Sequence, residues 1–396
     1  MRILGKGKTA QGIKELYPNG VMYDDSDKDM YDINSDELTV VSPGIPPYNY
    51  LVKNTKNKIS DYDLFLEDIK AKTVWISGTN GKTTTTQMIY DLLKEDSLCG
   101  GNIGTPLAKI SNIYNNKKDK YKQIILETSS FTLHYTNKVK PDIYILLPIS
   151  DDHVSWHGSF KEYEKAKLKP LSMMPKNSVA VVPSIYKDIK TDALTYYYKD
   201  SSDLAGQFNI DTEKIKFNEP FLLDSLLALC VKKILTDEID YETINEFVVD
   251  KHKVEEFRDS QNRLWVDDSK ATNLDATVWA LKGYKDKQIN LILGGDDKGA
   301  ELDPLFKEMK NYDIELFTIG SNSQKLGDLA QKYDILCNCF TNLKEAVDAI
   351  DKKMKTQNPL NTSVSMLSPA AASLDQFESY KQRGEEFKNF VNSLEN

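Results

Sequence analysis

The residues most able to do chemistry lie between an apolar run, 73-TVWIS-77, and a helical pattern, 87-QMIYDLLKE-95: Gly78-Thr79-Asn80-Gly81-Lys82-Thr83-Thr84. Glycines at 78 and 81 allow backbone conformations that turn amide groups inward on an anion. The helix that follows adds the positive end of its dipole. Lys82 supplies a point charge for the β- and γ-phosphates of a nucleotide, and the Thr83 hydroxyl suits a Mg²⁺ shell. The loop departs from GxxxxGK[ST], because Ile76 stands where that pattern has its first glycine. A glycine-threonine turn with a solvated lysine is the alternative reading.

Three further clusters end or follow strand-like runs: 100-GGNIGTP-106, 127-ETSSF-131 and 151-DDHVSWHG-158. Glu127 is a hard oxygen ligand for Mg²⁺. His153 suits a second metal or a phosphate. His153 and His157 are four apart, as in a helical zinc pair, but no HExxH pattern or third ligand supports zinc. Taken singly, each of these residues is more often structural; together with the phosphate loop they are candidates for one site. Downstream lie 164-EKAKLK-169, 252-HKVEEF-257, 266-VDDSKATN-273, 291-LILGGDDKGAEL-302 and 367-LSPAAASLDQFESYKQRGEEFKNFV-391. In the third of these, Asn273 or Thr272 is a plausible helix cap.

These motifs resemble the Mur ligases. GTNGKTTT is similar to their ATP loop, GGNIGTP and E-x-SSF to the members that add D-glutamate, and DDH-x-x-x-HG to their EDH-x-x-x-HG. The resemblance implies ATP-dependent attachment of D-glutamate to UDP-N-acetylmuramoyl-L-alanine through an acyl phosphate, in peptidoglycan precursor synthesis. A folylpolyglutamate synthetase is the alternative within the superfamily. It implies ATP contacts at Gly78 to Thr84, Asn218, Lys253 and Asp268, and catalytic roles for Lys82, His153, Lys167 and Lys270. Thr83, Glu127, His153 and Lys167 would serve two Mg²⁺ sites, with Lys167 matching a lysine that CO₂ carbamylates; an ordinary solvated lysine beside Lys165 and Lys169 is the competing reading. Ser42, Gly44, Asn102 and His153 would meet the UDP substrate, with Asp24 or Asp25 facing uracil. Thr272, Lys298, Ser373, Leu374 and Tyr380 would meet D-glutamate. Two positions depart from the family: Phe217 replaces a histidine, and Lys253 replaces an arginine, keeping charge but losing the bidentate fork.

The elements that must position these groups are short apolar runs alternating with amphipathic stretches, among them 38–42, 123–128, 143–150, 289–295, 315–320 and 363–369. Strands separated by helical patterns imply parallel sheets built from βαβ units, and ligands in such sheets bind at the carboxyl ends of strands. The pattern gives an α/β fold class; the resemblance implies a three-domain Mur ligase architecture with a Rossmann-like first domain, a central P-loop-type ATPase domain and a Rossmann-like C-terminal domain. Polar breaks divide the 396 residues into 1–60, 61–250 and 251–396, and the resemblance implies that these hold the UDP substrate, ATP and D-glutamate in turn. The apolar run after Asn218 reads as a core helix.

Bulk properties agree. With 40% hydrophobic and 28% charged residues the composition is soluble and globular. A net charge of −9 repels phosphate backbones, which argues against a nucleic-acid partner. The four cysteines form no CxxC pair, so neither zinc nor a disulfide framework is expected. No apolar leader or run of about 18 apolar residues appears. The expectation is a cytoplasmic monomer without a membrane span.

Overall fold

A computed structural model describes residues 1–150, 152–357 and 362–394; Asp151, the first residue of the DDH motif, lies outside the described residues. The chain divides into two compact units, residues 1–217 with 221–247, and residues 218–220 with 248–396.

The first unit contains two sheets. One comprises β1 (Arg2–Leu4), β2 (Val21–Tyr23), β3 (Thr39–Val41) and β4 (Lys58–Ile59), parallel and in the order β2-β1-β3-β4. The other comprises β5 (Lys72–Ser77), β6 (Ser97–Gly101), β7 (Gln123–Glu127), β8 (Ile143–Leu146), β9 (Val179–Pro183) and β10 (Leu194–Tyr198), in the order β10-β9-β8-β5-β7-β6 and parallel throughout. Helices cover both faces, which is why β5, β7 and β8 read as unbroken apolar runs rather than alternating ones. The strand order sets the carboxyl end of β5, with the phosphate loop, between those of β7 and β8, so the three strands share one sheet as the sequence pattern implies. The helix Lys82–Leu93 begins one turn earlier than the apolar pattern shows, because Thr84, Thr85 and Thr86 are buried on its inner side.

The second unit has one sheet of β11 (Glu255–Arg258), β12 (Leu264–Asp267), β13 (Gln288–Gly294), β14 (Ile314–Ile319), β15 (Leu336–Cys339) and β16 (Ser363–Leu367), ordered β11-β12-β16-β13-β14-β15. All pairs are parallel except β11 with β12. The β11 strand, EEFR, alternates half-buried and exposed positions and carries three charged residues, as an edge strand does. Central strands sandwich Trp265, Ile292 and Phe317 on one side and Val266, Leu291 and Leu293 on the other. The amphipathic stretch 367–391 is helical only over Tyr380–Asn392; residues before it form the loop leaving β16.

Candidate functional site

The phosphate loop is built by close approach. Gly78 has φ 141°, and a Cβ there would sit 2.5 Å from the Cβ of Leu147. Gly81 has φ 86°, and a Cβ there would sit 2.4 Å from Oδ1 of Asp224. Both positions therefore require glycine. Lys82 Nζ folds back to donate to the carbonyls of Gly78 (3.0 Å) and Thr79 (2.6 Å). Thr79 Oγ1 lies 2.9 Å from Tyr163 Oη and donates to the Ser150 carbonyl (3.1 Å), which ties the loop to the turn after β8. Asn80 Nδ2 is buried without a hydrogen-bond partner. The lysine pose, the orphaned amide and the first-turn amides of the helix make a cradle in which a triphosphate would satisfy donors that now turn on the loop itself.

Glu127, at the end of β7, is 2% exposed. Its Oε2 accepts from Thr83 Oγ1 (2.8 Å) and its Oε1 from Asn102 Nδ2 (2.7 Å). Asn102 reaches it because Gly101, φ 97°, leaves room against the Glu127 carbonyl, and because the Asn102 amide donates to that carbonyl (2.9 Å). Gly100 and Gly101, the first residues of the cluster 100–106 that the sequence suggests is a glycine-rich turn, in fact close strand β6, and these glycines hide it.

Lys167 lies on the helix Phe160–Met173 and is 1% exposed. Its ammonium donates to the Gly78 carbonyl (2.7 Å) and lies 4.8 Å from the centre of the Tyr163 ring. Burial, and next the charge of Lys82, hold its pKa well below the ordinary lysine value. The ordinary solvated lysine considered from sequence is excluded by this burial. His153, at the start of the short helix Val154–His157, has φ 53°; its ring packs 4.7 Å from Phe131, and its Nε2 is 3.4 Å from Asp152 Oδ2. Burial lowers its pKa, Asp152 raises it, and Lys167 and Lys82 lower it further. His157 is not a zinc partner: its Nε2 lies 3.0 Å from Ser130 Oγ, and burial pushes its pKa down to about 4.

In the first sheet's loops, Ser42 is buried with its hydroxyl unpaired, 2.6 Å from where a Gly5 Cβ would stand. The Gly44 carbonyl accepts from Trp156 Nε1 (3.3 Å). Asp24 caps a helical turn and pairs with Lys6, while Asp25 accepts from Asn49 Nδ2 (2.8 Å).

In the second unit, the turn after β12 carries Asp268, buried and pushed up to about 7 by burial, with Oδ2 accepting from Ser368 Oγ (2.6 Å) and Oδ1 from the Val254 amide (3.2 Å). Lys270 pairs with Asp250 at 3.2 Å, and its amide donates to the His252 carbonyl (2.9 Å). Lys253 belongs to the same turn region, next to Val254. Thr272 is exposed, and Asn273, not Thr272, caps the helix Leu274–Lys282. The Lys298 loop is joined to the loop after β16 by reciprocal hydrogen bonds between Asp296 and Ala372 (3.0 and 2.9 Å). Ser373 is buried, Leu374 is 66% exposed, and the Tyr380 carbonyl accepts from Ser269 Oγ (2.8 Å). Asn218 is exposed on the segment ahead of the helix Phe221–Thr236, and Phe217 packs edge-on to Phe221 and Phe247 rather than presenting a polar group.

Sequence reasoning missed Asp224, which sits in that apolar helix, accepts from Thr85 Oγ1 (2.9 Å) and backs the phosphate loop. A lone carboxylate among leucines and valines was the available signal. It also missed Tyr163 and the buried Arg383.

This geometry defines an α/β protein with a phosphate loop, a carboxylate and a buried lysine gathered at one sheet edge. Residues 76–218 match the Mur ligase middle domain. A UDP-N-acetylmuramoylalanine--D-glutamate ligase of Campylobacter jejuni (strain 81-176) is 51% identical over 366 residues, 92% of this chain and 88% of the relative. One of Helicobacter pylori (strain J99) is 44% identical over 377 residues, 90% and 87% of the two chains. The chain belongs to the Mur ligase family. Solved structures agree on the fold: MurF ligase from Thermotoga maritima in complex with ADP aligns with a TM-score of 0.57 at 15% identity over 98% of this chain and 93% of that one. The UDP-N-acetylmuramate-alanine ligase MurC from the same organism gives 0.53 at 15%, covering 98% of each chain.

Proposed function

We propose that this protein is the ATP-dependent ligase that joins D-glutamate to UDP-N-acetylmuramoyl-L-alanine in peptidoglycan precursor synthesis. The observation that carries the reading is the phosphate cradle flanked by the buried Glu127 carboxylate, in a chain alike over nine-tenths of its length to relatives of that name. An alanyl carboxylate oxygen attacks the γ-phosphorus of ATP, and the bond to the β-phosphate oxygen breaks to release ADP. The D-glutamate amine attacks the acyl-phosphate carbonyl carbon, the tetrahedral adduct expels phosphate, and the amine proton passes to solvent or phosphate. Lys82 and the helix-start amides neutralise the charge that gathers on the transferred group, and alignment supplies most of the rest. No side chain has to act as a nucleophile.

The donors fit magnesium: Thr83 and Glu127 offer hard oxygens side by side, and Asp152 with His153 offers a second set. When bound, magnesium would screen the phosphate oxygens. Carbamylation of Lys167 would convert a buried cation of lowered pKa, whose neutral amine is the form that reacts with CO₂, into a further anionic oxygen ligand. We assign ATP contacts to Gly78 through Thr84, Asn218, Lys253 and Asp268, UDP-substrate contacts to Ser42, Gly44, Asn102 and His153, and D-glutamate contacts to Thr272, Lys298, Ser373, Leu374 and Tyr380. Lys270 completes the catalytic set. Domain limits near residues 60 and 250 and a monomeric state belong to the same reading. ATP and UDP-sugars are cytoplasmic metabolites, so the reaction is assigned to that compartment; no helix among the described residues is long and apolar enough to cross a membrane.

The test is phosphate release from MgATP and UDP-N-acetylmuramoyl-L-alanine with D-glutamate, L-glutamate or lysine. Release only with D-glutamate is expected, falling at least a hundredfold in Lys82→Ala. Equal turnover with lysine rejects the amino-acid assignment.

A further inference from the structure

The helix Tyr380–Asn392 carries a buried charge that none of the roles above uses. Arg383 is 1% exposed. Its Nε donates to Ser269 Oγ (2.9 Å), and its Nη2 donates to the carbonyls of Ser269 (2.8 Å) and Ala371 (3.1 Å). Its Nη1 is buried with no hydrogen-bond partner and stands 3.3 Å from the Cβ position that Gly295 lacks. Among the described residues no carboxylate comes within ion-pair distance of it; Asp375, Asp267 and Asp268 act on it only from farther away.

Burying a cation costs several kcal/mol even after relaxation, and a counterion normally offsets that cost. Here backbone carbonyls solvate the guanidinium and leave its charge standing. Burial draws its pKa down to about 10, which still leaves it charged at neutral pH. The groups it meets lie on three different loops. Ser269 falls between Asp268 and Lys270, Ala371 lies two residues before Ser373, and Gly295 opens the loop that bears Lys298. Ser269 Oγ passes the contact on to the Tyr380 carbonyl (2.8 Å). A planar fork with fixed donor directions sets the spacing of such loops more rigidly than an ammonium could. A plain scaffold role would be served as well by a neutral donor, without the cost of a desolvated charge.

We propose that Arg383 is a positioning residue of the amino-acid pocket: its guanidinium holds the 268–273 and 368–374 loops in register beside Gly295, and its unneutralised charge favours an amino acid bearing two carboxylates. This rests on the ligase reading above. The field of a fixed cation in a low-dielectric wall acts on an anionic ligand without touching it, and two of the loops Arg383 meets, at Ala371 and Gly295, lead to the residues assigned to the amino acid, so the larger effect falls on the dicarboxylate.

The test is steady-state phosphate release by the full chain, with KM measured separately for D-glutamate, ATP and the UDP-linked acceptor. Arg383→Met keeps length and removes charge and fork; Arg383→Lys keeps charge alone. The expected result is a KM for D-glutamate raised at least thirtyfold in Arg383→Met and five- to tenfold in Arg383→Lys, with the other two KM values within threefold of wild type. Should Arg383→Met fail to fold, Arg383→Lys decides by the same split. A purely structural role would move all three KM values together, and that pattern overturns the proposal. Wild-type protein without D-glutamate-dependent release would overturn the ligase reading and this proposal with it, whereas normal wild-type release with an unchanged D-glutamate KM in both variants overturns this proposal alone.

Discussion

Replacing Lys167 by methionine should make the fold more stable while stopping turnover. The ammonium is fully buried, faces the charge of Lys82, and has no carboxylate within ion-pair distance among the described residues. Removing it forfeits a charged hydrogen bond to the Gly78 carbonyl, about 1.5–3 kcal/mol, and the contact with the Tyr163 ring, about 1 kcal/mol. That carbonyl is not orphaned, because Lys82 Nζ still donates to it at 3.0 Å. Against these losses stand the several kcal/mol of desolvation that the buried ion carries and the packing of a thioether of similar length. The net expectation is a gain of about 1–2 kcal/mol, read by urea unfolding at pH 7.5 in CO₂-free buffer. The pH dependence has a definite sign. A lysine whose folded pKa is depressed binds fewer protons in the folded than in the unfolded state, so wild-type stability rises with pH up to the unfolded value near 10.5. The advantage of the variant should therefore be largest at neutral pH and shrink as pH approaches that value. D-glutamate-dependent phosphate release should fall at least a hundredfold. A variant destabilised by more than about 2 kcal/mol that still turns over within twofold of wild type would refute the reasoning.

Three other outcomes follow from the same geometry. Gly81→Ala should lose about 2–4 kcal/mol of stability in urea, from a left-handed backbone and a Cβ 2.4 Å from Asp224 Oδ1, and a loss under about 0.5 kcal/mol would contradict the described loop. Asp61 is buried with Oδ1 unpaired and its pKa pushed up to about 7, chiefly by burial, so the folded state binds its proton more tightly than the unfolded chain does. Its cost to stability is then complete above pH 7 and disappears as pH falls towards 4; Asp61→Asn should be more stable than wild type at pH 8, by at most about 4 kcal/mol, and no more stable at pH 4, and a pH-independent difference in unfolding would count against this. Asp224→Ala should weaken ATP binding in calorimetry at least tenfold, because it frees Thr85 Oγ1 and the wall behind Gly81; unchanged affinity would show that the loop does not depend on that wall.

The central features were legible where they are local. Strand, glycine loop and helix follow one another within about twenty residues around Lys82, and the alternation of apolar runs gave the parallel sheets. Glu127 and His153 could be placed near that loop because strand ends in such sheets collect on one edge. What sequence hid was settled by contacts far apart along the chain. Glycines masked β6, and an antiparallel edge, β11, lay within a stretch read as a motif. Asp224 disappeared into an apolar helix because its partners, Thr85 and Gly81, lie some 140 residues away. Arg383 read as one polar residue of an amphipathic stretch; its burial depends on Ser269 and Ala371, which only the folded sheet brings beneath it. The burial of Lys167 could not be told from its neighbours Lys165 and Lys169, since helical phase decides which of the three turns inward, and the phase follows from where the helix Phe160–Met173 docks.

The account stands or falls on whether a bound carboxylate accepts phosphate at the Lys82 loop. Acceptor labelled with ¹⁸O in its alanyl carboxylate, turned over with MgATP and D-glutamate, should yield inorganic phosphate carrying one ¹⁸O atom per turnover, detected by mass spectrometry, with the label absent from ADP. Amide formed at normal rate with no ¹⁸O in the released phosphate would contradict it.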